Sequence, residues 1–132
     1  MLIIRKVISM NKILIIDDSD SWFDAVAAEC EKAGFYAIRA MRHDEPLDLK
    51  GDDTISMVLV DLLVATKAGA GYIRQLRSQP KLKNAQMLLA TAGTNAQSAM
   101  HAVGGRSAEV IAKDATSLAS IAERLRKLPV AG

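Results

Sequence analysis

Residues 12–19 read KILIIDDS. Four aliphatic residues, Ile13 to Ile16, follow one another without polar alternation, and three are β-branched. That pattern describes a strand over Lys12–Asp17 buried on both faces, as strands of parallel sheets are. The run stops abruptly on two acids and a serine. Downstream, Ser19–Ala33 places Trp22, Val26, Cys30 and Ala33 on one helical face, and Gly34 stops that helix.

The same alternation continues. Tyr36–Ala40 reads as a second strand and Met57–Asp61 (MVLVD) as a central one, apolar on both faces. Gly71–Ser78 carries Tyr72, Ile73 and Leu76 at helical spacing and ends before Pro80. Gln86–Thr91 is a fourth strand, Asn95–Val103 a helix closed by Gly104-Gly105, and Glu109–Ala112 a fifth strand. Asp114 is placed to cap a last helix with Leu118, Ile121, Ala122, Leu125 and Leu128 on its apolar face. Between Arg42 and Asp53, Pro46 and Gly51 leave room for little more than one helical turn. Five strands alternating with helices predict an α/β fold, a doubly wound parallel sheet covered on both faces. Ligands of such sheets bind at the carboxyl ends of the strands.

Composition narrows the function. The chain has 132 residues, one domain's worth, with 50% hydrophobic and 24% charged residues. The longest apolar run, Met57–Ala65, is broken by Asp61 and is too short to span a membrane. Cys30 is the only cysteine, which excludes an intrachain disulfide and fits a reducing cytoplasm. A net charge of +2, dispersed along the chain, gives no nucleic-acid footprint, and no aromatic residue follows Tyr72 to stack on bases. His43 and His101 have no acidic or cysteine partner at ligand spacing and read as surface residues. Residues 1–10 are expected to be an appended segment, 11–128 the domain and 129–132 a tail or the start of a linker.

The strand ends hold the chemistry. Asp17 and Asp18 follow the first strand and Asp61 ends the central one, so a parallel sheet brings three carboxylates together. Left alone they repel; a hard divalent cation held by a few carboxylates and waters removes the conflict, which points to magnesium. Thr91 ends the fourth strand with a hydroxyl and Lys113 follows the fifth with an ammonium. A hydroxyl, a cation and a metal around one carboxylate suit phosphoryl transfer, with Asp61 as the nucleophile.

These residues resemble the receiver domain of two-component response regulators. The likeness runs from about Asn11 to Leu128 and is carried by KILIIDDS (12–19), MVLVD (57–61), Gly69, MLLATAG (87–93) and VIAK (110–113). It implies a flavodoxin-like sheet of strand order 2-1-3-4-5, here with a shortened second helix. It also implies Asp61 as phosphoacceptor, Asp18 as a direct magnesium ligand, Asp17 acting through water, and the backbone carbonyl of Leu63 as a further ligand. Thr91 and Lys113 would then contact the phosphoryl group, and the small Ala92 would leave access to it. The partners implied are a sensor histidine kinase or histidine phosphotransfer protein, with Phe23 either peripheral core or part of the docking face. A downstream protein target and a homodimer through the last-helix region are also expected. Neither nucleic acid nor membrane is an expected partner.

Several positions depart from the family pattern. The usual aromatic switch of the fifth strand falls on Val110, Asp114 stands where proline is usual, and Val64-Ala65 replaces a Met-Pro pair. The leading expectation is a phosphorylatable cytoplasmic receiver, a signalling phosphoacceptor before an enzyme. Its rival is a phosphorylation-independent interaction module on the same fold. A phosphohydrolase lacks a second acid at Leu63, and a flavodoxin-like cofactor binder would meet a phosphate with Asp17-Asp18-Ser19-Asp20.

Overall fold

The computed structural model of the chain describes residues 11–47, 49, 55–93 and 108–128. Among them are five strands and four helices: β1 (Lys12–Ile16), α1 (Asp20–Lys32), β2 (Tyr36–Ala40), β3 (Ile55–Asp61), α2 (Leu62–Ala68), α3 (Tyr72–Ser78), β4 (Gln86–Thr91), β5 (Glu109–Ala112) and α4 (Ala115–Lys127). The strands form one parallel sheet in the order β2-β1-β3-β4-β5. The expected segment 1–10, the helix 95–103 and the tail 129–132 lie outside the described residues. Residues 41–45, in the stretch where the second helix was expected, form bends and a turn, and 46 and 47 are irregular.

Alternate residues of each central strand feed two separate cores. On one face Ile13, Ile15, Met57, Leu59 and Leu88 pack with Trp22, Val26 and Cys30 of α1 and with Ile121 and Leu125 of α4. On the other, Leu14, Ile16, Val58, Val60 and Leu89 pack with α2 and α3. This two-sided burial is why the strands carry unbroken apolar runs.

The helix ends follow their caps. The hydroxyl of Ser19 accepts from the Trp22 amide at 3.4 Å and opens α1, while Asp114 accepts from the Ser117 amide at 2.7 Å and opens α4. Helix α2 was not expected from the sequence, where Leu62–Ala65 shows only as the rest of an apolar run broken by Asp61. Asp61 explains the difference: its carboxylate accepts from the Val64 amide at 3.1 Å, so the strand turns into a helix where the charge falls. Leu62, Val64 and Ala65 then bury one face while Leu63 points outward, 61% exposed.

Candidate functional site at the carboxyl edge of the sheet

Strand register assembles the site. Ile16 pairs with Val60, so Asp17 and Asp61 leave neighbouring strands at the same level. Asp61 pairs with Ala90, and Thr91 with Ala112, which sets Thr91 and Lys113 one step further along the same edge. The amide of Lys113 donates to the Thr91 carbonyl at 2.9 Å, closing the β4–β5 end.

The three carboxylates converge. Ligand oxygens of Asp17, Asp18 and Asp61 all lie within 4.8 Å of one another. Asp17 is buried, with 1% of its surface exposed, and Asp61 nearly so, whereas Asp18 faces solvent. Lys113 holds the two buried acids: its Nζ is 2.7 Å from Asp17 Oδ2 and 2.8 Å from Asp61 Oδ1. Burial acts most strongly on this ammonium and would lower its pKa. The hydrogen bonds to Asp17 and Asp61, with their charges, outweigh burial and hold the pKa above the ordinary lysine value.

The remaining oxygens of the acids are also engaged. Asp17 Oδ1 accepts from the Ser19 amide at 2.9 Å, and Asp61 Oδ2 caps α2. The donor set is three hard carboxylates at one solvent-open edge, and the single ammonium of Lys113 balances only one of their three charges. That chemistry fits a hard divalent cation, with Asp17, Asp18 and Asp61 as the residues that would hold it.

Thr91 and Leu63 stand differently. The Thr91 hydroxyl accepts from the Gly93 amide at 2.9 Å, so it is tied into the turn after β4 while its own proton remains available to donate. Leu63 lies in the first turn of α2, where a helical carbonyl is directed at the amide four residues on. Its carbonyl reaches a cation only if that turn opens.

Sequence reading passed over Arg39. From β2 its Nε donates to the Asp17 carbonyl at 3.2 Å, its Nη1 lies 2.8 Å from Asp20 Oδ1, and its guanidinium stacks 4.8 Å from the centre of the Phe23 ring. Arg39 therefore ties the acid loop to the first turn of α1. A lone basic residue in a short strand gave a hint only in retrospect, because its partners lie in a different element.

No family model matches the chain. Similar solved structures include a receiver domain of a histidine kinase from Clostridium thermocellum: TM-score 0.66, 17% identity, covering 89% of this chain and 98% of that one. The chain has the response-regulator receiver fold. A response regulator from Burkholderia pseudomallei, determined with a phosphorylated aspartic acid, a calcium ion and citrate, shares this receiver fold at TM-score 0.60 and 21% identity, over 88% of this chain and 71% of that one. In sequence, the chain is 35% identical over 68 residues to the transcriptional regulatory protein CpxR of Escherichia coli, a match spanning 52% of this chain but only 29% of that protein. Among the described residues no helix is long and apolar enough to cross a membrane.

Proposed function

We propose that the chain is a phosphorylatable receiver of a two-component system, accepting a phosphoryl group from phosphohistidine onto Asp61. The observation that carries this reading is the convergence of Asp17, Asp18 and Asp61 at one strand edge with Lys113 on two of them. The Burkholderia regulator of the same fold, with its phosphorylated aspartic acid and calcium ion, supports it.

The chain's residues divide the work. A carboxylate oxygen of Asp61 forms a bond to phosphorus as the donor's P–N bond breaks and the imidazole leaves with the electron pair. Lys113, already 2.8 Å from Asp61, moves its ammonium onto the charge that gathers on the phosphoryl oxygens. The Thr91 hydroxyl turns its proton toward the same group. Asp17, held by the Ser19 amide, and Asp18 would hold the magnesium beside Asp61. Magnesium, when bound, supplies positive charge to the phosphoryl oxygens. Leu63 contributes its carbonyl once the first turn of α2 has opened.

Residues 11–128 form the receiver unit in this reading. Its partners are a histidine kinase or phosphotransfer protein in the cytoplasm, a downstream protein target, and a second copy through the α4 region. Incubation with phosphoramidate and magnesium is expected to add one phosphoryl group by intact mass, and Asp61→Asn to abolish it. No mass increase under conditions that label another receiver overturns the reading. One observation favours a phosphorylation-independent module instead: Val110 of β5 has no ring to rotate. Normal target binding by Asp61→Asn would establish that alternative.

A further inference from the structure

Asp61 serves two donors at once. Its Oδ1 receives the Lys113 ammonium at 2.8 Å and its Oδ2 the Val64 amide at 3.1 Å. The second contact is the N-cap of α2, and no acidic residue in the first turn stands by to replace it. A helix of seven residues is too short to persist in water unaided, so its start depends on this cap and on the burial of Leu62, Val64 and Ala65. At its far end Gly69 has φ +97°, and Gly71, which begins α3, has the same φ. These left-handed positions suit glycine and separate α2 from α3 as a unit of its own.

We propose that α2 is the element through which phosphorylation is read out: formation of the aspartyl phosphate removes its cap and opens its first turn. This inference rests on the phosphoacceptor reading above. As Asp61 makes its bond to phosphorus and the donor's P–N bond breaks, a carboxylate with two equivalent acceptor oxygens becomes a mixed anhydride. One neutral carbonyl oxygen then remains, and the bridging oxygen is a poor acceptor. Lys113 follows the charge onto the phosphoryl group, and the Val64 amide loses its charge-assisted bond. The new group also needs space, because the Asp61 side chain is only 10% exposed and the first turn of α2 lies directly over it.

The movement reaches the surface. Val64 and Lys67 of α2 form one wall of a cleft of about 290 Å³ whose other walls include Asp18, Met41 and His43. Opening the first turn reshapes that cleft and exposes the backbone around Leu63. This gives the protein a route from Asp61 to its exterior that needs no ring at Val110.

Hydrogen exchange read by mass spectrometry on the full chain tests the proposal, with intact mass recorded on the same samples. Compared with magnesium alone, phosphoramidate with magnesium is expected to make amides 64–66 exchange about fivefold faster, the typical effect of losing a cap, while β1 and β4 stay unchanged. Asp61→Ala should give the same acceleration without any donor. A phosphoryl group gained with exchange unchanged or slowed overturns the inference and leaves the phosphoacceptor reading standing. No phosphoryl group gained overturns that reading and the proposed trigger with it. Unchanged exchange in Asp61→Ala shows that α2 does not depend on the cap and overturns the inference by itself.

Discussion

Replacing Lys113 with Met should destabilise the protein and make magnesium a stronger stabiliser. The ammonium lies 2.7 Å from Asp17 and 2.8 Å from Asp61, whose side chains are 1% and 10% exposed. Without it, carboxylate oxygens that approach within 4.8 Å face each other. At an effective dielectric of about 20 that is a repulsion of about 3 kcal/mol. Removing one member of a buried ion pair ordinarily costs about 3–5 kcal/mol. The open rim toward Asp18 and protonation of one acid bring the expected loss to about 2–3 kcal/mol. For a domain of this length that corresponds to a fall in Tm of roughly 10 °C. Magnesium should recover much of it, because an ion entering Lys113→Met meets two acids no longer held by an ammonium. The assay is thermal unfolding across a magnesium series at constant ionic strength. A further variant, Lys113→Met with Asp17→Asn, removes the acid conflict and should lose the extra response. The reasoning is refuted if Lys113→Met melts with the wild type, or if magnesium raises the wild-type Tm by more than the variant's.

Other perturbations have simpler readouts. The Lys113 pKa is raised in the fold, so its contribution is present below the unfolded lysine pKa and is lost as pH rises through the folded one. The stability difference between wild type and Lys113→Met should hold steady from pH 7 to about 10 and shrink above it, by urea titration at each pH. Asp114→Ala removes the α4 cap and should cost about 1 kcal/mol in urea, while Asp114→Ser should restore most of it. Leu125→Ala, at a fully buried position between α4 and the sheet, should cost about 2–5 kcal/mol. Burial pushes the Cys30 thiol up to about 12, so a thiol reagent at pH 8 should label it only after denaturation.

The strands were legible because each central one is buried on both sides, and an unbroken run such as MVLVD suits little else at that length. Their order was not in the periodicity; it came with the family resemblance. The acids were legible because two charges after ILII, and one inside MVLVDLLVA, contradict burial unless something answers them. What answers Asp17 and Asp61 is Lys113, roughly fifty residues beyond Asp61 and brought to it by register. Helix α2 was hidden by the same logic that revealed Asp61: Leu62–Ala65 is as apolar as the strand before it, and only the geometry of the Asp61 side chain divides the two. Arg39 was hidden because its three contacts fall on Asp17, Asp20 and Phe23, none of which is next to it in sequence or strand pairing.

The two-sided burial of the sheet has a consequence for how the chain finds its alignment during folding. In a sheet with one wet face, a slip of one residue exposes every apolar side chain and is rejected at once. Here a slip in β1 or β3 would only exchange the residues of one core for those of the other, and aliphatic bulk distinguishes them poorly. Asp17 and Asp61 distinguish them well. Neither can be drawn into the apolar layer without stranding a charge, and Lys113 joins them only when their strands end level. The acids that give the protein its chemistry are also the stops against which its strands come to rest.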